Sequence, residues 1–448
     1  MIDKAKNLII AFLVILSVSQ IGQLWFDSYD INFFHTAKSL ARNGNEKVFL
    51  TVPSRIISKD REGSYRIRYN SLDTNLGKYN CNLILDELFL SGEYTGKYAA
   101  SPSSLAACVI YDYALPMDAA DFTESYEQNS SEFKKKSSRL SKNVDSFRQI
   151  IFVPKVYSEA KPDSIEINVL FVSNSYKTIY EYTVKIKTTI NDNLQLYIAD
   201  NTVSDLVFTA KSMELFLPVI SDAGFPYHPI HTENPYMSAD RVLTLKSAQK
   251  GLNPLFGDAK ITQVSPEDSS YRYSNEANVV VKYYRATDVI EYLDYSTVNK
   301  ITPSTLPLNY AAAIRFLNAD ATIANDYYLD SCEISDDSYT FYFDYAVMDF
   351  PVLIPDSMKK ELNLSHMIEL TVSNQKVTKY KKIALTFTPD DEIFNNATIQ
   401  YEDFMNVWGG ENPDDVRLAY KYDKEKIKWL VLNWFLLQNG NSYIRPAS

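Results

Sequence analysis

An α+β protein is predicted: a single N-terminal transmembrane helix followed by tandem extracellular domains of antiparallel sheets with packed helices. Three observations carry that prediction. One apolar run, Asn7–Phe26, follows a lysine-bearing start, MIDKAK. Segments that alternate apolar and polar residues recur along the rest of the chain, as half-buried strands do. Tyr is abundant, at 33, and Gly is scarce, at 12, which suits pleated strands better than glycine-rich ligand loops.

The apolar run is the first element. Its length, about 20 residues or roughly 30 Å of helix, matches the hydrocarbon core of a bilayer. Ser17-Val18-Ser19 has the small-x-small form that a signal peptidase reads. Hydrophobicity nevertheless continues through Ile21, Leu24, Trp25 and Phe26, which favours an anchor that is retained. No Cys follows the run, so a lipoprotein anchor is excluded. Lys4 and Lys6 place residues 1–6 as a cytoplasmic tail, 7–26 as the anchor and the bulk outside. Ser17, Ser19, Gln20, Gly22 and Gln23 form a candidate transmembrane partner face, because small and amide side chains let helices approach and hydrogen-bond in lipid.

Three further domains are expected, at 30–150, 151–298 and 305–448. In the first, Ile31–Arg42 reads as a helix stopped by Asn43-Gly44, and "SYRIRYN" as a strand with Tyr65, Ile67 and Tyr69 on one side and Arg66 and Arg68 on the other. "NLILDELFLSG" reads as a helix and "LAACVIYDYAL" as a buried strand. The polar, basic "SSEFKKKSSRLSKNVDSF" marks a soft boundary near 150. In the second, "SIEINVLFV" and "KTIYEYTVKI" form a hairpin, "TVSDLVFTAKSMELFL" a helix capped by Thr202 or Ser204, and "NVVVKYYRATDVIEYLDY" a second hairpin. In the third, Pro307 opens a helix, and hairpins turn at Asp336-Asp337 and at Ser373-Asn374. "DKEKIKWLVLNWFLLQNG" reads as a last helix, with Asp423 as cap and Asn439-Gly440 as stop. "ITPSTLP" separates the second and third domains.

Composition excludes several functions. A net charge of −11 argues against nucleic acid as a partner. No Walker loop and no G-x-S-x-G occurs. Cys81, Cys108 and Cys332 are read as free thiols, although Cys81 and Cys108 could pair. His228 and His231 in "HPIH", with Glu233 nearby, have the spacing of metal ligands, but Pro229 and Asn234-Pro235 make the stretch a loop, and it is read as surface. Asp336-Asp337 and Asp390-Asp391-Glu392 are read as solvated turn acids. The basic cluster "KKKSSRLSK" is read as an exposed linker, with contact to an anionic wall polymer as the alternative.

Two blocks resemble the YycH family. "NPLFGDAKITQVSPEDSSYRYSNEANVVVKYYRATDVIEYLDY" has a Leu-Phe-x-Asp turn, Leu255–Asp258, before a strand pair ending in Leu-x-Tyr. "LNYAAAIRFLNAD", "SYTFYFDYAVMDFPVLI" and "MIELTVSNQKVTKYKK" resemble the domain that YycH and YycI proteins share. Tyr342, Phe350, Pro351, Val352, Val377 and Tyr380 fall at its motif positions, while Asp349 stands where the family often has Gly. The resemblance implies that 305–448 is a YycH/YycI-like domain and that the chain is a non-enzymatic regulator without a cofactor. It would sit in the membrane of a low-GC Gram-positive bacterium and modulate the sensor histidine kinase of the essential cell-wall two-component system (WalK/YycG type). Contact through the transmembrane helix and ectodomain, beside a YycI-like sister protein, is the implied mode. The alternative is an envelope hydrolase or solute-binding protein.

Overall fold

The computed structural model describes residues 53–69, 75–125, 140–157, 162–199, 207–219, 225–236, 260–265, 270–274, 278–296, 305–320, 322–335, 338–396, 415–423, 430, 432–438 and 441–445. The expected span Asn7–Phe26, the helix Ile31–Arg42, the Leu255–Asp258 turn and the pairs Asp336-Asp337 and Asn439-Gly440 lie outside them. No helix among the described residues is long and apolar enough to cross a membrane.

Two large sheets dominate. The first draws on β1 (Arg55–Lys59), β2 (Tyr65–Arg68), β3 (Glu93–Ala99), β4 (Cys108–Asp118), β5 (Ser146–Val153), β6 (Ser164–Ser173), β7 (Thr178–Lys187), β8 (Val207–Ala210) and β9 (Phe216–Val219). Their order is β3-β7-β6-β5-β4-β1-β2-β8-β9, antiparallel throughout. Helices α1 (Asn75–Ser91), α2 (Ala119–Ser125) and α3 (Thr188–Ala199) pack on it. The alternation in "SIEINVLFV" gives way to continuous burial over Val169–Val172, which lie in the middle of the sheet and are covered on both faces. Gly92 ends α1: its N–H reaches Leu88 O at 2.8 Å, and a Cβ there would stand 2.5 Å from the same oxygen.

The second sheet uses β12 (Lys260–Ser265), β13 (Ser270–Ser274), β14 (Val279–Tyr284), β15 (Val289–Asp294), β16 (Asp326–Ser335), β17 (Ser338–Val347), β18 (Phe350–Leu353), β19 (Ile368–Ser373), β20 (Lys376–Ile383), β23 (Asp415–Lys421), β24 (Leu432–Gln438) and β25 (Asn441–Arg445). Its order is β12-β13-β14-β15-β20-β19-β17-β18-β23-β24-β25, with β16 added to β17. β18 and β23 run parallel. Helix α4 (Leu306–Ala319) packs on β17, β19 and β20, and α5 (Asp356–Leu362) follows β18. Two short two-stranded ladders pair β10 (Phe225–Tyr227) with β22 (Phe394–Asn396) and β11 (Ile230–Glu233) with β21 (Thr386–Pro389).

Sheet membership does not follow the expected boundaries. Residue 150 lies inside β5, paired to β4 and β6. The interval between 298 and 305 is bridged by pairing of β15 with β20.

Two expected helices are strands. "TVSDLVFTAKSMELFL" folds its described part as the β8–β9 hairpin, in which Ser212 Oγ accepts from Glu214 N and Leu215 N to form the turn, and Phe208 extends the ladder to Tyr65. In the last segment Leu432–Gln438 is β24, which buries Trp434 against the core. Asn439-Gly440 separates β24 from β25, whose ladder closes at Gln438↔Asn441. Short apolar runs fit either period, and ladder partners decide them. The helix Thr188–Ala199 was not expected at all.

The other hairpins that were expected among the described residues fall at their places with small shifts, while β3, β5, α2 and α5 were not expected. The β19–β20 turn centres on Asn374-Gln375, both at positive φ (48° and 64°), one residue later than expected. Met348 and Asp349, at φ 51° and 65°, make the β17–β18 turn.

Candidate functional site

The sheets meet where β4 nears β16, and Tyr69 packs on Tyr328 with ring centroids 5.1 Å apart. A group of ionisable side chains gathers there. Its origin is a β-bulge: Leu329 pairs with Phe343 and Ser331 with Tyr342, so Asp330 is the extra residue and its side chain is re-aimed. Arg417, from β23, donates to Asp330 Oδ1 at 2.5 Å. Asp344, on β17, is directly opposite Tyr328 in the ladder. Its carboxylate is buried, accepting from Met367 N through Oδ1 (2.9 Å) and from His366 Nδ1 through Oδ2 (2.9 Å). His366 Nε2 faces Asp330 Oδ2 at 4.0 Å, and the imidazole stands 5.1 Å from the Tyr342 ring. His366 comes from the loop between α5 and β19, which Asn363 opens in the left-handed region (φ 51°).

The electrostatics follow from this geometry. Burial resists charge on His366, but the carboxylate of Asp344, its hydrogen bond and the charge of Asp330 outweigh it and raise the imidazole's pKa. Burial likewise resists charge on Asp330, yet the guanidinium of Arg417, with His366 and more distantly Arg55, holds its carboxyl down to about 2. Arg55 belongs to β1 and is itself paired to Asp112 on β4 at 2.6 Å, so the field at Asp330 comes from both sheets.

A second polar group lies where the end of α4 meets β20. Lys382 donates to Asp320 Oδ2 at 2.6 Å, and Tyr380 OH to the same oxygen at 2.7 Å. Thr322 donates to Asp320 Oδ1 at 2.5 Å, and Tyr236 OH meets Thr322 Oγ1 at 2.9 Å. Asp320 and Lys382 are each 2 % exposed or less. Burial works against the Asp320 carboxylate, but Lys382 and the three hydrogen bonds hold its pKa below the ordinary value. Every carboxylate lone pair in use is answered by a donor, the condition under which a buried ion pair is stable.

The residues singled out in the sequence have different fates. His228 and His231 do not converge on a shared ligand position: His228 Nδ1 bonds the Asp390 carbonyl at 2.7 Å, and His231 Nε2 bonds the Asp390 carboxylate. The "HPIH" stretch therefore fastens β11 to the end of β21, with Tyr420 OH donating to His228 O at 2.7 Å. Glu233 pairs instead with Thr386. Cys81, Cys108 and Cys332 are free, the first two buried, and burial pushes each of those two thiols up to about 12. Ser17, Ser19, Gln20, Gly22 and Gln23 lie outside the described residues. Asp330 and Asp344 went unmarked in the sequence, and His366 is there one of four available bases with no motif around it. Nothing local joins them, because their proximity depends on a bulge and a ladder register.

Hydrolysis needs a nucleophile beside a base and its orienter. Asp344 and His366 supply base and orienter, but the partners of His366 among the described residues are Asp344, Asp330 and the Tyr342 ring.

No protein-family model matches the chain, and no curated protein matches it. Among solved structures it is similar to YycH from Bacillus subtilis, at 13 % identity and TM-score 0.49, over 88 % of this chain and 95 % of that one. It is also similar to an uncharacterized protein from Eubacterium rectale ATCC 33656, at 9 % identity and TM-score 0.30, over 53 % of this chain and 88 % of that one.

Proposed function

We propose that this chain is a membrane-anchored, extracellular regulator. It acts by contact on the sensor histidine kinase of a cell-wall two-component system, beside a sister protein of the YycI type. The supporting observation is where the motif residues fall. Tyr342 lies on β17, Phe350, Pro351 and Val352 on β18, and Val377 and Tyr380 on β20, all within the contiguous run β20-β19-β17-β18. The position where the family often has Gly is Asp349, whose φ of 65° lies in the region that glycine enters without penalty. The motif and the backbone thus ask for the same thing. In this reading Asn7–Phe26 is the retained anchor, single-pass with a cytoplasmic N-terminus, and Ser17, Ser19, Gln20, Gly22 and Gln23 face the kinase helix.

The test is to replace Gln20 and Gln23 together with Leu in the full chain. The span becomes more apolar, so insertion holds, while an interhelical amide bond of about 0.6–2 kcal/mol is lost and kinase co-purification falls. Unchanged co-purification would remove this face from the contact.

A further inference from the structure

We propose that the sheet junction holds a divalent cation of the zinc or manganese class, bound between Asp330 Oδ2 and His366 Nε2. The inference is independent of the regulatory reading. Asp330, Asp344 and His366 bring one donor atom each within 4.8 Å of one another, and among the described residues they are the group of acids and imidazoles so gathered. The Asp330–His366 gap of 4.0 Å is wider than the about 3.3–3.6 Å between two donors of a tetrahedral ion with bonds of about 2.0–2.2 Å, so ligation would draw the bulge and the loop together by about half an ångström.

The surroundings are those of a ligand histidine. Asp344 accepts from His366 Nδ1 at 2.9 Å and is itself held by Met367 N, so a cation that displaces the second imidazole proton meets the lone pair on Nε2, the nitrogen 4.0 Å from Asp330 Oδ2. The carboxylate–imidazole–metal sequence is completed if Nε2 receives a cation. Asp330 has its other oxygen fixed by Arg417, so Oδ2 is presented without freedom to turn away. Arg417 limits the affinity by its charge.

A second observation is independent of these three residues. Tyr328 is 3 % exposed, and its hydroxyl has no hydrogen-bond partner among the described residues. It stands opposite Asp344 in the ladder, and its surroundings include the charges of Asp344, Arg417 and Asp330. A buried hydroxyl without a partner is costly, because it has lost its water and gained nothing. A cation, or a water carried on it, answers that cost from the same side. The mixed oxygen and nitrogen donor set suits zinc or manganese rather than calcium. The His366 side chain is 21 % exposed, which leaves a path from solvent.

Occupancy would tie the bulge of β16 to the loop before β19 at the place where β16 meets the first sheet. The experiment is titration calorimetry of the full chain in detergent with zinc chloride and, separately, manganese chloride. X-ray absorption at the zinc edge reports imidazole ligation. We expect one zinc per chain with an imidazole signature, and affinity reduced at least tenfold in Asp330→Asn and in His366→Gln. His228→Ala with His231→Ala should bind as the parent does. No saturable binding by the parent chain overturns the proposal without any variant being needed. So does binding that survives Asp330→Asn, or binding that disappears with the His228/His231 change.

Discussion

The two sheets bury different chemistry. In the first, Phe122, Phe147 and Phe171 form an edge-to-face chain at 5.0 Å centroid spacings, with Tyr113 and Tyr182 packed on its rings and Ile150, Ile151, Val169 and Val172 buried in the same core. In the second, two buried tyrosines lead their hydroxyls to acids. Tyr380 donates to Asp320 at 2.7 Å, and Tyr283 donates to Asp288 at 2.6 Å. Each aromatic contact in the first adds about 0.5–1.5 kcal/mol and tolerates approximate fit. Each hydrogen bond in the second is worth little while made and costs much when one partner is missing. The lesson is that one chain uses nondirectional burial to build a platform and directional burial to fix a register.

The largest break in that comparison should come from Asp320→Ala. It leaves Lys382 buried and unpaired, so urea unfolding should lose about 3–5 kcal/mol in the second sheet. The same carboxyl sets an acid limit. Its folded pKa lies below the unfolded value near 3.9, so its contribution is complete above that value and is lost as pH falls through the folded pKa. Acid unfolding followed by fluorescence should show the second sheet's transition moved to higher pH by Asp320→Asn relative to the parent.

A smaller effect is expected for Tyr380→Phe, which removes one donor to Asp320 and should cost about 1–3 kcal/mol. Phe147→Leu in the first sheet should cost less than about 1.5 kcal/mol, because an apolar site can repack. A Phe147→Leu loss exceeding that of Tyr380→Phe would reverse the contrast.

The smallest change expected is a gain. Gln375 carries a side chain at φ 64° in the β19–β20 turn, and its amide donates to Asn309 Oδ1 at 2.8 Å, a contact that glycine keeps. Gln375→Gly makes the turn Asn-Gly and should stabilise by about 1 kcal/mol, read as a shift in the urea midpoint.

Much of this fold was legible wherever two alternating strands flanked a short turn, as in Ile167–Ile186 and Val279–Leu293, because period and turn chemistry agree there. Legibility failed where a short apolar run carried no period of its own. Leu432–Gln438 reads as a helix until β23 supplies a ladder, and the Asn439-Gly440 that looked like a helix stop is equally a hairpin signal. A polar, basic stretch in the sequence does not say which sheet the strands on either side of it join, and β4 and β5 are neighbours in one sheet. The junction group could not be seen in sequence. Asp330 reaches it only because the ladder slips by one residue, and a single shift of register would send that carboxylate to the other face.

The account stands on the claim that this chain works by binding a membrane sensor kinase. The direct measurement is capture of the full chain from its own membranes under crosslinking, with identification of what comes with it. The predicted result is a two-component sensor histidine kinase together with a single-span sister protein, both lost when residues 1–26 are replaced by an unrelated anchor. Recovery of neither, from membranes in which the chain is inserted and folded, would contradict it.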